Sequence, residues 1–177
     1  YSALSNVDLT ISKGNPAAIA LRTHFAQHCF ISHVSINIGD GKAGMFDLGN
    51  EIENVTFNGG QYGIVTTKAS PGWQVMMTDC SFEGQRRAAI RSQESGLAIV
   101  NMRAKNVPTV FMSDDNFWEK VFIENSVFEN VYGPAIVNGD ENNSNNQINL
   151  RKVYCRNVPT LIKFTRSGKV TTANHGV

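Results

Sequence analysis

The sequence predicts an all-β chain, a single-stranded right-handed parallel β-helix, and three observations carry the prediction. The first is a repeat. A four-residue phrase returns as Asn6-Val7-Asp8-Leu9, His33-Val34-Ser35-Ile36, Asn54-Val55-Thr56-Phe57, Asp79-Cys80-Ser81-Phe82, Asn101-Met102-Arg103-Ala104, Asn125-Ser126-Val127-Phe128 and Lys152-Val153-Tyr154-Cys155. The steps between them are 27, 21, 25, 22, 24 and 27 residues, inside the window that marks solenoids. The second is alternation: positions two and four of the phrase are mostly apolar and position three mostly polar, as in a strand with one buried face. The third is a column of Gly59, Gly84, Asn106, Asn130 and Asn157, two residues past position four. Glycine lacks the Cβ that forbids positive φ and asparagine tolerates that region, so this column marks stacked tight bends. Parallel crossovers are almost always right-handed, which sets the expected hand.

Taken in order, 4–11 reads as strand, Gly14-Asn15-Pro16 as loop and 17–22 as the next strand. Residues 23–38 hold three of the four histidines and end in strand; 39–44 is turn and 45–48 strand. Gly49-Asn50 leads into IENVTFNGGQYGI at 52–64, a strand, a sharp Gly-Gly turn and a second strand. Residues 69–72 form a loop before one long strand, 74–82, and the strands 97–104 and 118–128 each follow a polar turn. NGDENNSNNQ at 138–147 reads as a solvated loop between coils. After Gly168 the pattern is lost, as in an unfinished coil or a disordered tail.

The strand after the bend aligns on inward residues Ile19, Phe46, Ile64, Ile90, Phe111, Ile136 and Ile162. That leaves Ala20, Asp47, Val65, Arg91, Met112, Val137 and Lys163 outward. The expected core of some six to seven coils therefore stacks Val55, Phe57, Phe82 and Phe128 against Ile64, Ile90, Phe111, Ile136 and Ile162.

With 177 residues, 41% hydrophobic and 18% charged, the composition is that of one globular domain spanning 1–177. A net charge of +1 gives no general attraction to nucleic acid or anionic lipid. No run of about 20 apolar residues is present to span a bilayer. The first residue is Tyr1 and the pattern is under way by Leu4, so the chain reads as a processed or partial one. Cys29, Cys80 and Cys155 match no zinc spacing; Cys80 and Cys155 fall on inward positions and read as small buried hydrophobes.

The runs IALRTHFAQHCFISHVSINI (19–38), GMFDLGNEIENVTFNGGQYGI (44–64) and QVMMTDCSFEGQRRAAI (74–90) resemble the pectate-lyase-like right-handed β-helix superfamily. They resemble most closely the glycoside hydrolases that act on β-1,3-glucan and carry two β-helical domains side by side. The resemblance covers about residues 1–165 and implies a secreted or periplasmic protein acting on polysaccharide. It also implies that a second β-helical domain, or further coils, completes the cleft. On that reading the full-length parent hydrolyses a β-glucan or related polymer and this chain alone is inactive. Lyases and epimerases on uronate polymers share the fold grammar, as do non-catalytic tailspike and adhesin helices.

The residues themselves offer Glu94, Asp114 and Asp115 as catalytic candidates, since neighbouring coils lie about 4.8 Å apart and glycosidases need paired carboxyl groups. Arg91, Arg87 and Lys68 are the candidate substrate contacts. Lys68, Glu94, Asp115, Asp140 and Arg166 form an expected row of charges along one edge, which any soluble β-helix also shows. The hydrolase reading needs no cofactor or metal. A lyase would use Ca²⁺, and Asp114 and Asp115 beside Glu94 are the oxygen ligands on offer. His24, His28 and His33 suit neither a zinc pair nor a triad. Trp73, Trp118, Tyr62 and Tyr132 stand near turns, where an aromatic face stacks on a sugar or packs at a coil edge.

Overall fold

The computed structural model describes residues 2–25, 28–67 and 74–172. Lys68, Trp73 and the expected loop 69–72 lie outside the described residues. In chain order the strands are β1 (Ala3–Thr10), β2 (Ile19–Arg22), β3 (Phe30–Gly39), β4 (Ala43–Phe46), β5 (Glu51–Gly59) and β6 (Tyr62–Thr67). Next come β7 (Val75–Thr78), β8 (Ser81–Glu83), β9 (Ala88–Gln93), β10 (Leu97–Val100), β11 (Arg103–Val107) and β12 (Phe111–Ser113). The last are β13 (Lys120–Val131), β14 (Pro134–Asn138), β15 (Gln147–Arg156), β16 (Thr160–Phe164) and β17 (Val170–Thr171). They stack as a parallel β-solenoid of about six turns. Among the described strands only β17, which runs back along β16, is antiparallel.

One sheet is built from β2, β4, β6, β9, β12, β14 and β16, closed at one end by β17; the other holds the remaining strands. That second sheet is creased along its length. Position one of the repeat has positive φ in every coil: Asn6 (56), His33 (56), Asn54 (49), Asp79 (53), Asn101 (58), Asn125 (50) and Lys152 (51). At each crease the ladder skips a residue, as where Ser5 pairs Ser32 and the next pair is Val7 with Val34. The expected long strand 74–82 is for this reason two strands, β7 and β8, broken at Asp79. The bends expected at Gly59, Gly84, Asn106, Asn130 and Asn157 all have positive φ.

The polar side chains on both columns bond from coil to coil. Asn101 Nδ2 donates to Asp79 Oδ1 at 3.0 Å and Asn125 Nδ2 to Asn101 Oδ1 at 2.5 Å. On the second column Asn130 Nδ2 donates to Asn106 Oδ1 at 3.0 Å and Asn157 Nδ2 to Asn130 Oδ1 at 2.8 Å. Asparagine thus both tolerates the left-handed backbone and supplies the donor and acceptor that the next coil needs.

The interior follows the expected stack: Val55, Phe57, Ile64, Ile90, Phe111, Phe128 and Ile136 are fully buried and Phe82 is 1% exposed. The rings of Phe57 and Phe82 stack at 4.7 Å, and a Cβ on Gly44 or Gly63 would strike them at 2.7 or 2.5 Å. Two glycines across the core therefore make the room the two rings fill.

The first two coils correct the expected alignment. The inward column runs Leu21, Met45, Ile64, Ile90, Phe111, Ile136 and Ile162, whereas Phe46 shares its row with Arg22, Val65 and Arg91. Phe46 lies outside the solenoid core, packed on a small cluster with Tyr62, Val65, Ala43 and Ala88 under Arg22 and Lys42. Asp47, expected outward in that row, is a buried residue with positive φ that accepts the Thr67 hydroxyl at 3.0 Å. The three cysteines are free thiols, and burial pushes Cys80 up to about 12, the pKa of an inert core sulfur.

Candidate functional site

The corner between β9 and β10 is set by Glu94 and Gly96, both with positive φ. This turn, the segment entering β13 and the outer side of β13 and β15 enclose a groove of about 400 Å³. Strand alternation explains its lining. Val121 and Ile123 point into the core, so Lys120 and Phe122 point out, paired in the ladder with Gln147 and Asn149. Gln74, Glu94 and Trp118 complete the groove, with Lys120 Nζ 5.7 Å from the centre of the Trp118 ring.

Glu94, Asp114 and Asp115 occupy three different settings. Glu94 lines the groove. Asp114 lies on the outer side of the other sheet, gripped by Arg91 through Nε–Oδ1 at 2.8 Å and Nη2–Oδ2 at 2.7 Å, with Gln93 donating to the same carboxylate. That bidentate hydrogen bonding, with Gln93 adding to it, holds the Asp114 carboxyl below its ordinary pKa against the opposing pull of burial. Asp115 is exposed and accepts the Thr165 hydroxyl at 2.7 Å. The expected charged row is real where Arg166 binds Asp140 at 3.0 Å. Arg91 serves Asp114, and Arg87 lies over the Tyr62 ring at 5.8 Å, away from the groove lining. Lys68 lies outside the described residues.

The carboxyl that sequence reasoning missed is Glu119. It is fully buried beneath the groove, between Trp118 and Lys120 in the chain. Its Oε1 accepts the Glu94 backbone N–H at 2.5 Å, its own N–H donates to Asn146 Oδ1 at 2.9 Å, and its carbonyl accepts the Gln147 N–H at 2.8 Å. Burial raises its pKa to about 7, opposed by the Ser92 hydroxyl and the backbone N–H groups of Glu94, Gly96 and Ser95. Its Oε2 and Ser92 Oγ are nevertheless buried without a hydrogen bond of normal geometry, so the help from Ser92 is weak. A general acid needs such a raised pKa, yet no substrate reaches a side chain with no exposure. Nothing in the sequence signals this burial, because a lone Glu beside a Trp and a Lys follows no periodic pattern.

A second groove of about 530 Å³ runs along the crease, lined by Asp79, Asn101, Asn125, Arg103 and Tyr154. Among the described residues no three His, Cys, Asp or Glu side chains gather to hold a metal ion. His24 Nδ1 stands 3.9 Å from Asp47, and His33 belongs to the crease column. No family model, no curated protein and no solved structure matches this chain.

Proposed function

We propose that this β-helix is the polysaccharide-holding part of a carbohydrate-active protein, with a β-glucan or related neutral chain lying in the groove under the turn at Glu94. The observation that carries the reading is the lining itself. An indole, Trp118, stands beside the amides of Gln74, Gln147 and Asn149, an apolar face for a sugar ring beside donors and acceptors for its hydroxyls. The groove is open, so a second β-helical domain or further coils would supply the opposite wall in a secreted or periplasmic parent hydrolase. Within this chain Asp114 is engaged by Arg91 and Glu119 is out of reach, so Glu94 is the one carboxylate among the described residues that line the groove; a glycosidase uses two, which supports binding without turnover by the chain alone. The reading requires no cofactor.

A second reading has one specific observation behind it. Arg87 and Arg91 lie over Tyr62, and Arg22 and Lys42 over Phe46; Arg91 is taken by Asp114 and Arg22 stands 3.7 Å from Asp47, so Arg87 and Lys42 are the cations this aromatic outer side of the other sheet offers. A lyase or epimerase substrate, an anionic uronate polymer, fits that face better than the groove. Calorimetric titration with laminarin, polygalacturonate and alginate separates the two. The first reading expects laminarin to bind and Trp118→Ala to abolish it; polygalacturonate binding lost in Arg87→Ala would replace it with the second.

A further inference from the structure

The outer side of the creased sheet carries an apolar island in its middle. Met76 of β7 is 45% exposed and stands in one row with Ala98 of β10 and Phe122 of β13. The next outward row sets Val100 between Thr78 and Glu124. The neighbouring coils end the island, with Glu51 and Glu53 of β5 on one side and Asn149 and Arg151 of β15 on the other. An apolar patch rimmed by polar residues marks a binding surface. Met76, Ala98, Val100 and Phe122 all belong to strands paired on both sides, so a coil added at either end of the solenoid would leave them open.

The island is continuous with the groove at Trp118. Phe122 belongs to both, and the groove residues Gln74 and Lys120 stand two residues before Met76 and Phe122, on the same outward face. Between them the middle coil presents Gly96 and the methyl of Ala98. No bulky side chain of that coil divides the groove from the island.

Size decides what fits there. Two steps between coils of about 4.8 Å, and one step between outward rows of about 7 Å, give an area on the order of 100 Å². A stable protein interface takes about 800 Å² from each partner, far more than the island offers. A single ring matches it. A planar group lies flat on a sheet and loses little freedom, whereas an alkyl chain would immobilise several rotatable bonds. Met76 and Phe122 both favour aromatic contact, one through sulfur and the other through its ring.

We propose that the glycan held by Trp118 carries an aryl group, and that Met76, Ala98, Val100 and Phe122 seat that group. This seat rests on the glycan reading of the groove and adds the substituent. The sugar lies against Trp118 and the amides of Gln147 and Asn149, and the ring, joined through an oxygen of the sugar, reaches across Phe122 to Met76.

The probes are the methyl, phenyl and hexyl β-glycosides of a β-1,3-linked glucose disaccharide, titrated into the 177-residue protein by calorimetry. The phenyl glycoside is expected to bind about tenfold more tightly than the methyl one. Met76→Ser should remove that advantage and leave the affinity for the methyl glycoside unchanged. The Met76 side chain is exposed, and an unchanged melting temperature would show that the variant folds. Equal binding of the phenyl and methyl glycosides, or a phenyl advantage that survives Met76→Ser, overturns the seat and leaves the glycan groove standing. A hexyl glycoside that binds as tightly as the phenyl one overturns the aryl assignment. If none of the three binds, the glycan reading fails and the seat fails with it.

Discussion

The carboxylate of Glu119 holds the backbone N–H of Glu94 at 2.5 Å, tying the turn that lines the groove to a group buried beneath it. Because Glu119 is raised from 4.5 to about 7, folding favours its neutral form. The contribution is fully present below pH 4.5 and is lost as pH rises to 7. Above that, keeping the ionised group buried costs up to about 3 kcal/mol.

Glu119→Gln keeps the acceptor and removes the charge. The variant is expected to be more stable than the parent at pH 8 and to lose that advantage by pH 4. Asp114, with its lowered pKa, acts in the opposite sense and destabilises as pH falls; the difference between variant and parent, measured by urea denaturation at both pH values, isolates Glu119.

Gly63→Ala tests the glycine and aromatic packing of the core. The new Cβ meets Phe82 at 2.5 Å and the Ala89 carbonyl at 2.8 Å, and the ring is pinned by its stack on Phe57. A loss of about 1–3 kcal/mol is expected. In combination with Phe82→Leu the penalty should be smaller than the sum, by double-mutant cycle; strict additivity would mean that the ring and the glycine do not share space.

Asn130 combines two roles, a φ of 52° and a place in the ladder between Asn106 and Asn157. Asn130→Ala should cost about 1–2 kcal/mol through the left-handed backbone alone, with the lost ladder bonds in addition. Asn130→Gly relieves the backbone and isolates the ladder. Thermal denaturation should rank parent, Gly variant and Ala variant in falling order.

The coil repeat was legible because each turn must place like residues on the same interior spot. The Gly and Asn bend column was legible for the same reason. The crease was not, although Asn6, Asn54, Asp79, Asn101 and Asn125 stand in position one. The apolar alternation that follows each of them reads as uninterrupted strand, and His33 and Lys152 hide the column. Phe46 was placed inward because it is apolar, yet cationic side chains cover it on the outside. Of the site, Trp118 is visible as an aromatic near a turn, and Glu94 with Asp114 or Asp115 as carboxylates one coil apart on a charged edge. Their separation into different surfaces depends on how the corners fold, as does the burial of Glu119.

Chemical-shift mapping with a β-1,3-gluco-oligosaccharide tests the glycan groove most directly. A glycan seated in the groove gives saturable shifts at the Trp118 indole N–H and the side-chain amides of Gln147 and Asn149, absent in Trp118→Ala. An unchanged spectrum, or shifts confined to the Arg87 and Tyr62 face, would contradict that seating.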